Sequence, residues 1–308
     1  MDKETKLVKK VKRLLRRLGC PRWLHHFGPK KYEFYQHLCA LLIMHYCSLS
    51  YRRTVKLLNL LGLTCASKSA LQYTAKRIQK WIWDCALQIT AGIKHHIIAL
   101  DSTGFSRTHP SYYYLQRIDG KMPKVPVKVS IAYDTKKKKY CAAKIRILPA
   151  HDIKDAKSLL KLSKPKVLVA DKAYDANWLH IFCSKNKIKA HIPIRNKGKP
   201  KHENFSARRK AALNFRLRTY HRRELGESGN SGFKRKFGAS VSSKKARTIR
   251  TEVYGRLACH NIFSWFEEDL GQSLFIQIIY KCKLHNSNYA RIQENHNYKI
   301  SVCSQKRD

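Results

Sequence analysis

His96-Ile97-Ile98-Ala99-Leu100-Asp101 is an apolar run that ends on an acid, and Val167-Leu168-Val169-Ala170-Asp171 repeats the pattern 70 residues later. Both runs are short, continuous and rich in β-branched residues, so both predict buried strands. An ionised carboxylate at the end of a buried strand is costly unless something cationic pairs with it. A divalent metal ion is one such partner. Acids are scarce in this chain, with 20 Asp plus Glu against 64 Lys plus Arg, so their positions carry information.

Outward from these two runs the pattern stays apolar and strand-like. Strands are expected over 112–118, 125–133 and 140–148, the last two joined by Asp134-Thr135-Lys136-Lys137-Lys138-Lys139, a hairpin with a lysine-rich tip. A helix is expected at about 152–162, then the strand ending at Asp171, a helix over 177–185 and a further strand over 188–194. Strands in a meander, followed by helix, strand, helix and strand, define an α/β layer of the ribonuclease H type: a mixed sheet flanked by helices. In an open sheet with parallel strands, ligands gather at the strands' C-terminal ends, where Asp101 and Asp171 lie.

Residues 1 to about 93 read as an all-α unit. Helical spacing of apolar residues begins at Lys6 and recurs over 31–48 and 51–61. After Gly62, Ser67 is the expected N-cap of a helix running to Trp83. Helix, glycine turn and a Ser-, Lys- and Gln-bearing helix fit a helix-turn-helix, and a plain bundle with a solvated basic face is the alternative. Downstream, 195–210 is basic and rich in breakers, predicting a mobile loop over the site. Helices are expected over 213–240 and 248–267. The division is therefore 1–93, a helical domain, 94–267, the α/β domain with its closing helices, and 268–308, a tail without an assignable role.

The formal net charge of +44 repels itself unless a polyanion neutralises it, which points to nucleic acid. No apolar run reaches the roughly 18 residues of a membrane span, and no secretory leader follows the basic N-terminus, so a cytoplasmic protein bound to DNA and not to membrane is expected. The ten cysteines fall singly, with no C-x-x-C pair. They predict buried free thiols and argue against zinc.

The sharpest local pattern is Tyr220, Arg223, Glu227 and Lys234. On one α-helix, at about 100° per residue, these four would share an arc of about 60°. A carboxylate between two cations and a phenol suits a surface that binds a metal and the phosphates beside it. Gly226, Gly229 and Gly232 interrupt this stretch at about 1 kcal/mol each relative to alanine, so either packing holds the helix or the chain is decayed and inactive. Tyr220-x2-Arg223-x3-Glu227-x6-Lys234 resembles the Y-R-E-K motif of bacterial and archaeal insertion-sequence transposases with an Asp-Asp-Glu core. The contexts Ala-Leu-Asp101-Ser-Thr-Gly-Phe and Val-Ala-Asp171-Lys-Ala-Tyr-Asp agree with it over about residues 30–265.

The resemblance implies that Asp101, Asp171 and Glu227 are catalytic and hold two Mg2+ ions, with Mn2+ as a substitute. It implies that Tyr220, Arg223 and Lys234 hold transposon-end DNA, and that a homodimer pairs two ends. Phosphodiester chemistry needs an activated oxygen nucleophile and a stabilised leaving oxygen, which a metal pair supplies. Hard cations prefer oxygen donors, hence carboxylates. The alternatives are a catalytically inactive relic or DNA-binding regulator, and a structural RNA binder. Asp134, Asp152, Asp155 and Asp175 are rival acids. Asp134 fits a hairpin turn and Asp152 a helix N-terminus.

Overall fold

A computed structural model describes residues 5–24, 30–92, 94–107, 117, 125–195 and 207–269. Contacts gather Met1–Asn261 into one compact unit and Ile262–Asp308 into another, of which only the end of the last helix is described. The expected strand over 112–118 lies outside the described residues apart from Arg117, as do His25-His26 and nearly all of 268–308. No helix among the described residues is long and apolar enough to cross a membrane.

Among the described residues up to 91, every regular segment is a helix. Helices α1 (Lys6–Arg17), α2 (Phe34–Tyr46), α3 (Tyr51–Leu60), α4 (Lys68–Arg77) and α5 (Lys80–Ala91) follow one another. Polar caps set the starts. Ser50 Oγ accepts from Arg53 N–H at 3.3 Å and Ser67 Oγ from Ala70 N–H at 3.2 Å, satisfying amides that a helix start leaves open. Gly62 turns the chain between α3 and α4 at φ +69°, a conformation glycine adopts without strain. Ala40, Leu58, Ala66 and Leu71 pack where α2, α3 and α4 meet. The single helix expected from Ser67 to Trp83 is instead two. Ile78 turns extended and buries its side chain, and Gln79 starts α5.

The described residues form a sheet of five strands: β1 (His95–Phe105), β2 (Val127–Asp134), β3 (Lys139–Arg146), β4 (Pro165–Ala170) and β5 (Lys189–His191). Their order is β3-β2-β1-β4-β5, antiparallel from β3 to β1 and parallel from β1 through β4 to β5. The β2–β3 turn forms as expected, with Asp134 Oδ1 accepting from the amides of Lys136 and Lys137 at 2.9 Å each. At its tip Lys136, Lys137 and Lys138 are exposed. Lys137 Nζ donates to the carbonyls of Ala91 and Lys94, closing the end of α5, and Lys139 is buried.

Strand parity divides the faces. Ile98, Leu100, Leu168 and Ala170 face helices α6 (Ile153–Ser163) and α7 (Asn177–Lys185) through Ala156, Leu159, Leu160, Leu179 and Cys183. Ile97, Ala99, Val167 and Val169 face the other way. That second face takes α10 (Arg223–Phe237), which follows α8 (Ala207–Leu213) and α9 (Leu217–Tyr220). The loop expected over 195–210 is thus helical from Ala207, and 196–206 lie outside the described residues. Helix α11 (Ala246–Asp269) covers the β3 edge: Asn261 accepts from Tyr140 N–H at 2.9 Å and donates to Tyr140 C=O at 2.8 Å. Such pairing blunts an edge strand.

The glycines of α10 are explained by this packing. A Cβ at Gly226 would stand 3.0 Å from Ala99 Cβ, and one at Gly229 would come to 2.8 Å from Tyr133 Cζ. At Gly232 nothing lies within 4 Å. Two of the three therefore let the helix sit against β1 and β2, and the third makes no such contact. Gly232→Ala should stabilise the protein by about 1 kcal/mol through helix propensity, whereas Gly229→Ala should destabilise it by about 1–3 kcal/mol through overpacking. Urea unfolding of both variants checks this, and a stabilising Gly229→Ala would contradict the packing.

Candidate active site

Register and parity set the position of the two acids. Leu100 pairs with Ala170 across the parallel β1–β4 ladder, so Asp101, inside β1, lies beside Asp171, which follows the last residue of β4. The strand expected to end at Asp101 runs on to Phe105, because residues 101–105 continue the antiparallel pairing with β2. Both share the parity of Ala99 and Val169, so both point to the face that carries α10. Asp101 is half-buried. Its Oδ1 accepts from Ser102 N–H and its Oδ2 from Asn230 Nδ2, each at 2.8 Å. Asp171 is exposed and starts a single 3-10 turn, with Oδ1 accepting from Lys172 N–H at 2.7 Å.

Helix α10 brings the third acid. Glu227 follows the close contact of Gly226 on Ala99, and Arg223, one turn earlier, donates to Glu227 Oε1. Burial pushes the Asp101 carboxyl above its ordinary value, against the bonds from Asn230 and Ser102, and the charge of Glu227 pushes it further. Burial works against the charge of Arg223, yet its bond to Glu227 and the nearness of Tyr220, Glu227 and Asp171 raise its affinity for the proton. Arg223 also lowers Asp101. One guanidinium is therefore within electrostatic reach of all three acids, and the structure brings Asp101, Asp171 and Glu227 to one end of the sheet.

Among the described residues, Arg223 is the only side-chain cation bonded to any of the three. Three carboxylates against one guanidinium leave negative charge for a cation to neutralise. Asn230 adds a buried Oδ1 that has no partner, beside an acid that its own Nδ2 bonds. Carboxylate and amide oxygens are the donors that Mg2+ or Mn2+ prefers, so the residues fit a hard divalent ion. Asn230 was missed in the sequence. It sits at i+3 from Glu227, a spacing that shares one helix face.

The remaining motif residues are arranged differently from the expectation. Tyr220 ends α9, and His221 and Arg222 form a tight turn before α10, with Arg222 N–H reaching Thr219 C=O and Glu224 N–H reaching His221 C=O. The four residues therefore do not share one helix. Tyr220 still meets the site, because the Arg223 guanidinium lies 5.6 Å from its ring centre. Lys234 lies farther along α10, with Nζ 5.6 Å from the Phe105 ring centre.

The rival acids are occupied. Asp155 is buried and bonded by Arg146 and Ser130. Asp175 is held by Arg208, by His180 Nε2 and by Arg195 N–H, which ties α8 to the end of β4. Asp152 stands at the N-cap of α6 without a side-chain cap bond, and pairs with Lys128 instead.

A further cluster, His95, Asp134 and Cys141, has the residue types of a metal site and is buried. His95 begins β1, six residues and so roughly 20 Å from Asp101 along the strand. Burial pushes Asp134 up, but the bond from His95 at 2.8 Å and those from the Lys137 and Lys136 amides outweigh it and hold it below its ordinary value. Both Asp134 oxygens are engaged, and burial pushes the Cys141 thiol up. The three side chains bond one another, with Cys141 Sγ 3.4 Å from His95 Nδ1, so hydrogen bonds among themselves account for their meeting. All eight cysteines among the described residues are free thiols, four of them buried.

The chain belongs to the transposase DDE domain family, whose model matches residues 92–262, more than half of the sequence. Two transposase complexes are among the solved structures it resembles. One is a piggyBac transposase synaptic complex with hairpin DNA, at 10% identity and TM-score 0.45, covering 87% of this chain and 75% of that one. The other is a pre-cleavage Mos1 transpososome, at 10% identity and TM-score 0.22, covering 84% and 87%. No curated protein matches.

A donor that bonds the charged form of a carboxyl lowers its pKa. Asn230→Ala should therefore raise the Asp101 pKa further above the ordinary carboxylate range. Titration of the Asp101 carboxyl carbon by NMR, without metal, reads this directly, and a pKa that stays put or falls would contradict the Asn230 contact.

Proposed function

We propose that this protein is an insertion-sequence transposase of the Y-R-E-K type, which binds the ends of its element and catalyses DNA strand cleavage and strand transfer. Residues 94–267 would be its ribonuclease H-like catalytic domain and 1–93 a helix-turn-helix-like DNA-binding domain, with 268–308 given no role. Family membership supports a transposase, and the strand order β3-β2-β1-β4-β5 supports the ribonuclease H type. The observation that carries the reading is the placement of Asp101, within β1, beside Asp171, just past the end of β4, on the face where Gly226 seats the helix of Glu227.

In this reading Asp101, Asp171 and Glu227 hold two Mg2+ ions, with Mn2+ able to substitute. Bound there, such ions supply activation of an oxygen nucleophile and stabilisation of the leaving oxygen. The chain's own residues do the positioning. Asn230 fixes one oxygen of Asp101, and the Ser102 amide fixes the other. Arg223 holds Glu227 and is itself stacked near Tyr220, so this pair and Lys234 present a phenol and two cations to the phosphates of the transposon end. Arginine suits that role because its planar fork matches phosphate oxygens. Cleavage at paired ends calls for a homodimer.

Glu227→Gln keeps the size of the side chain and removes one charge. Strand cleavage and transfer of an element-end duplex in Mg2+ should fall by at least about 100-fold, while affinity for the same duplex changes by less than about threefold. Retained cleavage by the variant would remove Glu227 from the site.

A further inference from the structure

A cavity of about 700 Å3 lies where the end of α4, the start of α5 and α11 meet, and it shares no residue with the acid cluster. Five cations line it: Lys76, Arg77, Lys80, Arg247 and Arg250. Only Lys80 has an acidic partner among the described residues, Asp84. Helix α5, 12 residues long, opens into the cavity with Gln79 at its N-cap, no side-chain cap bond and no acid in its first turn. Trp83 in the same helix is 3% exposed and forms part of the cavity wall.

The cations and the open helix start both call for an anion. Uncapped first-turn amides carry partial positive charge and bind phosphate. The wall is fixed in place, because Thr251 Oγ1 on α11 donates to Ala75 C=O on α4 at 2.8 Å. Tyr73, 60% exposed at the rim, lies 5.5 Å from Lys76 Nζ and 5.1 Å from the Arg77 guanidinium. Four cations without acidic partners exceed what one phosphate, with about two charges at most, can neutralise. A row of phosphodiesters matches them.

We propose that this cavity is a second DNA-backbone site, which seats consecutive phosphates of a duplex away from the acid cluster. It rests on the transposase reading only for the choice of DNA as the polyanion. Arg247 and Arg250 reach from α11, and Lys76 and Arg77 from the last turn of α4, so the strand is gripped from two helices. The break in the helix at Ile78, where the sequence predicted continuity, is what makes the site, since it exposes a helix start between them.

The test is the salt dependence of duplex affinity in the full-length chain. Each phosphate contact contributes about 0.9 to the slope of log affinity on log salt, so R247A/R250A should make the slope shallower by about 1.8. The charge-preserving R247K/R250K pair should recover most of it. Arg77→Ala, at an exposed position, should lose about 0.9 and serves if the double variant is unstable. K157A/K161A, on the exposed face of α6, should leave the slope unchanged. An unchanged slope in R247A/R250A and Arg77→Ala overturns the proposal, as does an equal loss in K157A/K161A. So does a cavity that takes inorganic phosphate with no effect of these changes on DNA. Element-end cleavage by the unaltered protein is scored separately: cleavage with unchanged slopes sinks this site alone, and shifted slopes without cleavage sink only the transposase reading.

Discussion

The parallel pairing of β1 with β4 is the constraint on which the rest depends. A shift of one residue in a strand sends every side chain to the opposite face. The observed register, Leu100 opposite Ala170, puts Asp101 and Asp171 together on the side of α10. Buried Ile98, Leu100, Leu168 and Ala170 hold that register by committing the other face to α6 and α7. The glycines complete the arrangement. A larger residue at 226 or 229 would lift α10 from Ala99 and Tyr133, and Glu227 and Asn230 would move with it. Backbone proximity and acid placement are thus one structural fact.

Charge is distributed with the same economy. In a chain of +44, the buried acids Asp134, Asp155 and Asp175 are each enclosed by donors, and each is held below its ordinary pKa. Asp101 departs in the opposite direction, raised by burial and by a neighbouring carboxylate. Those three acids are bonded by cationic or imidazole side chains, whereas both Asp101 oxygens accept only from neutral donors, Ser102 N–H and Asn230 Nδ2. A carboxylate shifted in that way is a candidate for a site, as the proposed function requires. On the basic side, Arg146 and Arg208 are spent on buried acids, while Arg77, Arg247 and Arg250 have no ion-pair partner among the described residues.

Much of this was legible in the residues. Continuous apolar runs ending in Asp101 and Asp171 announced their strands, and the Ser67 cap and the Asp134 turn form through local bonds that spacing alone predicts. Other features depend on contacts distant in sequence and left no local signal. Nothing near Ile78 marks a helix break, because the break follows from burying that side chain. The three glycines look alike on paper, yet two meet the sheet and one meets nothing. The turn at His221-Arg222 separates Tyr220 from the helix that a simple periodicity gave it, and α8 is held by Arg208 on Asp175, 33 residues away. Residue chemistry was readable, and tertiary partners were not.

Anomalous diffraction from crystals soaked in Mn2+ locates the divalent ion without reference to activity. Peaks bounded by the carboxylates of Asp101, Asp171 and Glu227 are the predicted result. A peak only at His95, Asp134 and Cys141, or none within ligand distance of the three carboxylates at saturating Mn2+, would contradict it.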